Sequence, residues 1–264
     1  MTGLRALSMS TRWHADGTFK TTPLIFKQLY SLHAEIGNNS LVAGAFILLT
    51  RMTEEAYTKC ISCLNTLLTR NSTNLNIVVD LELAAINAFT SVYPSCQITA
   101  CFFHVFQCLW RKIQQEGLQT IYSTDVDFAV NAKMLAALTF LPLQDVVQAF
   151  EELVDYLSEC ILPVVDYFED NFIVRSMRQI RRTKFQSKLW NLYETAMQGL
   201  ACINNGLEGW YNGFQKQVGV HHVSIWKMFE GLQREVGLAK LKVAHVEAGK
   251  EENQKLKRNN HRKN

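Results

Sequence analysis

A chain of 264 residues with 48% hydrophobic and 11% aromatic side chains has ample material for a buried core. That excludes global disorder and fits one large domain or a domain with a sizeable insertion. No run of about 18 apolar residues occurs, so no transmembrane helix is expected, and residues 1–13 lack the apolar core of a signal peptide.

The net charge of +3 is unevenly spread, with +5 over residues 239–264 and −2 over the rest. Residues 145–174 hold eight acids and no Lys or Arg, whereas residues 175–188 hold six Lys or Arg and no acid. Basic clusters of this kind are the usual footprint of a polyanion, although a solvated tail accounts equally well for the C-terminal run. Seven cysteines without regular spacing suggest reduced thiols in a cytosolic or nuclear protein.

In chain order, residues 13–19 read as a strand with Asp16 in its middle, and residues 26–36 as a second strand ended by a turn at Asn38-Asn39. Residues 41–50 are almost wholly apolar, which predicts a third, central strand. Thr53-Glu54-Glu55 opens a helix whose apolar face runs through Tyr57, Ile61, Leu64 and Leu68. After a polar loop at 70–74, the β-branched run Ile77-Val78-Val79 stops at Asp80 and a helix over 82–92 follows. Residues 97–103 predict a fifth strand and 104–115 a helix. From 129 to 200 the period is helical throughout. A last pair of helices begins after Asn204-Asn205-Gly206 and at Ser224, and the polar tail beyond 247 predicts a fraying helix followed by disorder. Three strands followed by two strand–helix units is the order of a ribonuclease H-like fold. We therefore expect an α/β protein with a mixed five-stranded sheet and flanking helices, interrupted by a large all-helical insertion. The expected divisions are 13–125 for the first part of the core, 126–200 for the insertion, 201–238 for the core completion and 239–264 for a basic, partly disordered tail.

In such a sheet Asp16 and Asp80 fall on adjacent strands. Two carboxylates side by side repel each other and call for a hard cation, Mg²⁺ or Mn²⁺. A pair of ions could activate a water or a 3′-hydroxyl for in-line phosphoryl displacement. The third acid of such a site would be Glu208, in Asn204-Asn-Gly-Leu-Glu-Gly-Trp210. Plainer readings stay open at this point: Asp80 as a helix cap, and Glu208 as the partner of Asn205 in a capping box. Glu82 reads as a first-turn acid favoured by the helix dipole. Cys60-Ile-Ser-Cys63 and Cys101-Phe-Phe-His104 supply four zinc-type ligands, but the first pair falls on a helix as small packing residues, so zinc is not expected. His104 could instead contact a phosphate or orient an acid. His221-His222 reads as a loop pair without chemistry. No P-loop, dinucleotide-binding glycine fingerprint or nucleophile elbow occurs.

Taken in order, Asp16-Gly-Thr-Phe19, Leu48 to Tyr57, Asp80 to Phe89, Cys101 to Lys112, Met134 to Pro142, Asn204 to Trp210 and His222 to Lys227 resemble the transposase domain of Mutator-like elements (MULE), in the branch found with FLYWCH-type zinc modules. The resemblance spans about residues 13–235. It implies a ribonuclease H-like core and a nuclear DDE-type recombinase that cleaves DNA at transposon ends and transfers strands, using two divalent ions, Mg²⁺ or Mn²⁺. Its catalytic and metal-binding acids fall on Asp16, Asp80 and Glu208, and its C-x2-H element on Cys101 and His104. DNA is the implied partner, with a homo-oligomer on the transposon ends and no membrane. Arg178, Arg181, Arg182, Lys184, Lys257 and Arg258 are the expected backbone contacts, which would make binding salt-dependent. Departures from the family pattern are Val79, where a Thr usually precedes the second acid, and Cys202-Ile203, where Arg, Thr or Ser often precedes the paired Asn. Both predict altered support of the carboxylates. The family's N-terminal zinc module is not in the sequence. A copy that no longer cleaves but still binds DNA or a protein partner is the rival expectation.

Overall fold

The computed structural model describes residues 2–37, 40–69, 74–173, 183–219 and 223–248. In chain order the elements are α1 (Thr2–Met9), β1 (Arg12–Thr18), β2 (Gln28–Ile36), β3 (Ser40–Leu49), α2 (Glu54–Leu67), β4 (Asn76–Val79), α3 (Leu83–Val92), β5 (Gln97–Ala100) and α4 (Phe102–Gln115). They are followed by α5 (Gln119–Thr124), α6 (Val126–Ala137), α7 (Val146–Tyr156), α8 (Leu162–Phe172), α9 (Ser187–Trp190), α10 (Tyr193–Met197), α11 (Asn205–Val218) and α12 (Ile225–Glu247), with short 3₁₀ turns at Leu138–Phe140 and Glu159–Ile161. The strands form one mixed sheet in the order β3-β2-β1-β4-β5. β1, β2 and β3 are antiparallel neighbours, and β4 and β5 are parallel. The chain divides into two compact units, Met1–Leu75 with Gly206–Asn264, and Asn76–Asn205.

In the first unit, β1 and β2 are buried along most of their length. The strand expected at the centre, β3, lies at the end of the strand order. Its apolar sequence has a different cause: α1, α2 and α12 pack against it, so helices bury what a neighbouring strand was expected to bury. The approach of α1 is close. A Cβ on Gly3 would lie 2.8 Å from the Ala43 and Gly44 carbonyl oxygens, and one on Gly44 would lie 2.4 Å from Leu7 Cγ. α2 starts as expected, with Thr53 Oγ1 accepting from the Ala56 N–H at 3.3 Å. Tyr57, Ile61, Leu64 and Leu68 are all buried. α11 and α12 close the unit through Leu29, Phe214, Val218, Val223, Met228 and Leu232, with Trp210 stacked on Phe214 at 5.1 Å. Each such fully buried side chain contributes about 1.5–3 kcal/mol.

In the second unit, β4 and β5 are joined by α3 in a parallel strand–helix–strand unit. β5 ends at Ala100 and α4 begins at Phe102, so the apolar pair Phe102-Phe103 belongs to the helix and not to the expected strand. A tertiary bond sets that boundary: the Phe102 N–H donates to the Cys202 carbonyl at 3.0 Å, away from the sheet ladder. The described residues between 126 and 200 contain helices and no strand. Their core is aromatic, with Phe168 against Phe150, Phe172 and Trp190, and Phe172 stacked on Phe185. The turn expected at Asn38-Asn39, most of the 70–74 loop, His221-His222 and the tail from 249 lie outside the described residues.

Candidate metal and nucleic-acid site

Asp16 and Glu208 belong to the first unit and Asp80 to the second. Asp16 sits on β1 opposite Ser31 of β2, 9% exposed. Its Oδ1 accepts the Gly17 N–H at 2.7 Å, which holds the carboxylate against the strand. Strand alternation puts Arg12 and His14 on the same side of β1 as Asp16. Both meet Glu35, His14 Nε2 at 2.7 Å and Arg12 Nε at 3.5 Å. Burial alone would raise the Glu35 pKa, but the His14 hydrogen bond and the Arg12 charge outweigh it and the net direction is down. This acid is therefore already balanced and is not a metal candidate.

Glu208 is the fourth residue of α11. Its Oε1 is buried and has no hydrogen-bond partner among the described residues. Burial raises its pKa. A buried carboxylate oxygen with no donor lacks the compensation that burial of charge requires, and a hard cation is one of the few groups that supplies it. One turn further along α11, Tyr211 Oη donates to the Asp16 carbonyl at 2.5 Å and contacts Ser31 Oγ at 2.8 Å. The helix carrying Glu208 is thus tied to the strand carrying Asp16.

Asp80 is the first residue past β4. Its Oδ1 accepts the Glu82 N–H at 3.4 Å, a long bond, so the capping reading holds only in weak form. Glu82 itself is the N-cap residue of α3, without a side-chain capping bond. Burial, reinforced by the Glu82 charge, raises the Asp80 pKa to about 7, against the opposing pull of backbone hydrogen bonds and Arg111. Two of the three expected acids therefore share one property: the fold makes their charge expensive.

The C-x2-H element has a structural role. Cys101 is fully buried, and its Sγ accepts the Asn204 N–H at 3.2 Å, fixing the segment just before α11. His104 is neutral, driven down to about 4 by burial and by Arg111, and its Nδ1 is buried without a hydrogen-bond partner among the described residues. Among the described residues, no group of three or more His, Cys, Asp or Glu side chains is arranged to hold a metal ion. None of the seven cysteines forms a disulfide among the described residues.

Of the basic residues expected to meet DNA, Lys184 is exposed, its Nζ 5.3 Å from the centre of the Phe185 ring. Arg178, Arg181, Arg182, Lys257 and Arg258 lie outside the described residues. A cation that sequence reasoning missed is Arg111. It is exposed, has no ion-pair partner among the described residues, and its field acts on Asp80, His104, Cys108 and Tyr167. The available signal was the spacing of His104, Cys108 and Arg111, which places all three on one side of α4.

Residues 12–108 match the family model of the MULE transposase domain. That stretch is similar to a MULE transposase domain. No curated protein matches the chain. The matched stretch contains β1 to β5, Asp16, Asp80, Cys101 and His104, and stops within α4. Glu208 lies beyond it, so its assignment rests on the motif around it and on its unpartnered oxygen. A transposase domain implies interaction with DNA. Among the described residues, no helix is long and apolar enough to cross a membrane.

Proposed function

We propose that this chain is the catalytic domain of a DDE-type transposase that works in the nucleus, cleaving DNA at transposon ends and joining the freed ends to a target. The observation that carries the proposal is that burial disfavours the charge of two of the expected acids, Asp80 with a pKa raised to about 7 and Glu208 with a buried, unpartnered Oε1. Hard oxygen donors of this kind suit Mg²⁺ or Mn²⁺. The chemistry supplied by two such ions is activation of a water or 3′-hydroxyl and neutralisation of the leaving oxygen. The protein's share is to present the carboxylates. Asp16 is oriented by the Gly17 N–H, Glu208 offers its free oxygen, and Asp80 gives up its proton near neutral pH when a cation binds.

The strand order β3-β2-β1-β4-β5, an antiparallel meander with a parallel pair, supports a ribonuclease H-like reading of the sheet, with residues 126–200 as a helical insertion. Arg111 and Lys184 act as backbone phosphate contacts, joined by Arg178, Arg181, Arg182, Lys257 and Arg258, and two or more copies assemble on the transposon ends.

Nicking of a supercoiled plasmid with Mg²⁺ or Mn²⁺ is the test. Wild type should nick and Asp80→Asn should not; equal rates sink the enzyme assignment. DNA binding at low salt without nicking would leave a transposase-derived binding module.

A further inference from the structure

Four groups from β1, β2 and α11 form a hydrogen-bond chain whose direction follows from counting protons. Tyr211 Oη has one hydrogen and donates it to the Asp16 carbonyl. The 2.8 Å contact between Tyr211 Oη and Ser31 Oγ must then use the Ser31 hydrogen. Ser31 Oγ has only lone pairs left for His33 Nε2 at 3.1 Å, so Nε2 carries the hydrogen. The state of His33 agrees. Burial, helped by His14 and Lys242, drives it down to about 3, so the ring is neutral with a single N–H. The other nitrogen, Nδ1, is bare, and it has no hydrogen-bond partner among the described residues. The ring is held edge-on to Trp210 at 4.8 Å, and the Trp210 indole N–H donates to Glu235 at 2.6 Å. The chain therefore runs one way, from His33 through Ser31 and Tyr211 to Asp16.

We infer that Tyr211 is a positioning residue for the acids Asp16 and Glu208, joining the helix that carries one to the backbone of the other. Tyr211 is three positions after Glu208, which puts them on neighbouring positions of α11. The phenol ends on the carbonyl of Asp16 itself, so the offset between β1 and the Glu208 turn is set at the acid and not at a distant point of the strand. A core tyrosine needs only some acceptor for its hydroxyl. This one receives a directed bond from Ser31 while giving one to Asp16, and the neutral His33 has its proton on the nitrogen that keeps this order. The polar chain is fully directed over its length, which rigidifies the parts it joins.

The inference rests on the metal-site reading, and binding of Mn²⁺ alone to the full chain separates the two. The readout is the electron paramagnetic resonance signal of free Mn²⁺. Wild type should bind the ion. Tyr211→Phe keeps the ring and its packing, and should weaken binding by about tenfold, the scale on which groups that orient metal ligands act. Ser31→Ala leaves the Tyr211 to Asp16 bond and should lie closer to wild type. Thr139→Val, which deletes a different buried hydroxyl bond to the Ala136 carbonyl, should bind as wild type does. Tyr211→Phe binding as tightly as wild type would overturn the inference and spare the metal site. Equal weakening by Thr139→Val would assign the effect to general loosening, and overturns it too. Wild type failing to bind Mn²⁺ removes the metal-site reading, and this inference with it.

Discussion

Replacing Asp80 with Asn removes a charge that the fold holds at a cost, and that cost has a predictable pH dependence. In the unfolded chain this carboxyl titrates near 3.8, and in the folded chain near 7. Below about pH 4 both states carry the proton and the group is neutral in its effect. Between about pH 4 and 7 the folded chain keeps a proton that the unfolded chain has released, so stability falls as pH rises. Above about pH 7 the penalty is complete, up to about 4 kcal/mol. Asn keeps an acceptor for the Glu82 N–H without the charge, so part of this should be recovered, about 1–3 kcal/mol or a rise of several degrees in Tm. Thermal unfolding of both proteins at pH 5 and pH 8, with chelator present, measures it. The variant should be the more stable at pH 8, and its advantage should shrink at pH 5. Added Mn²⁺ at pH 8 should raise the wild-type Tm and leave that of the variant unchanged. A variant less stable than wild type at pH 8, or an advantage equal at both pH values, would refute the reasoning.

Arg111→Gln and Lys184→Gln should each weaken binding to duplex DNA without regard to sequence, and each should lower the slope of log K against log salt by about 1. Fluorescence anisotropy across a salt series reads this directly, and an unchanged slope removes the residue from the interface. Cys101→Ala deletes the acceptor of the Asn204 N–H and should cost about 1–3 kcal/mol in urea unfolding. An unchanged midpoint would mean that the sulfur contact holds nothing.

The elements with strong periodicity were legible. α2 shows its cap and its apolar face in sequence, and both are present. β3 shows why position is harder to read than type. An apolar run reports that something packs on it but not what, and here α1, α2 and α12 pack on a strand that stays half-buried over much of its length. α1 itself is eight residues long and offers no sequence sign strong enough to predict it. The end of β5 was misplaced because Phe102 and Phe103 suit either a strand or a helix, and a bond to Cys202 decides. At the site, the acids stood out because charge next to apolar runs is conspicuous. Tyr211 did not, because its sequence place is in the apolar stripe of α11 and only the fold supplies its polar partners.

Val79 can now be weighed as a departure from the family pattern. A hydroxyl residue before the second acid would support that acid only if its side chain reached the carboxylate. Successive residues at a strand end face opposite ways, so the Val79 side chain points away from the side that carries the Asp80 carboxylate. What holds the local backbone is the bond from the Cys101 N–H to the Val79 carbonyl at 3.0 Å, which any residue at 79 can accept. The carboxylate takes its hydrogen bonds from the backbone at Asp80 and Glu82. Losing the hydroxyl therefore removes no contact to Asp80. Cys202 likewise contributes its carbonyl, which anchors Phe102 at the start of α4, while its Sγ donates to the Leu200 carbonyl at 3.7 Å. At both positions a main-chain carbonyl makes a contact that does not depend on the side chain.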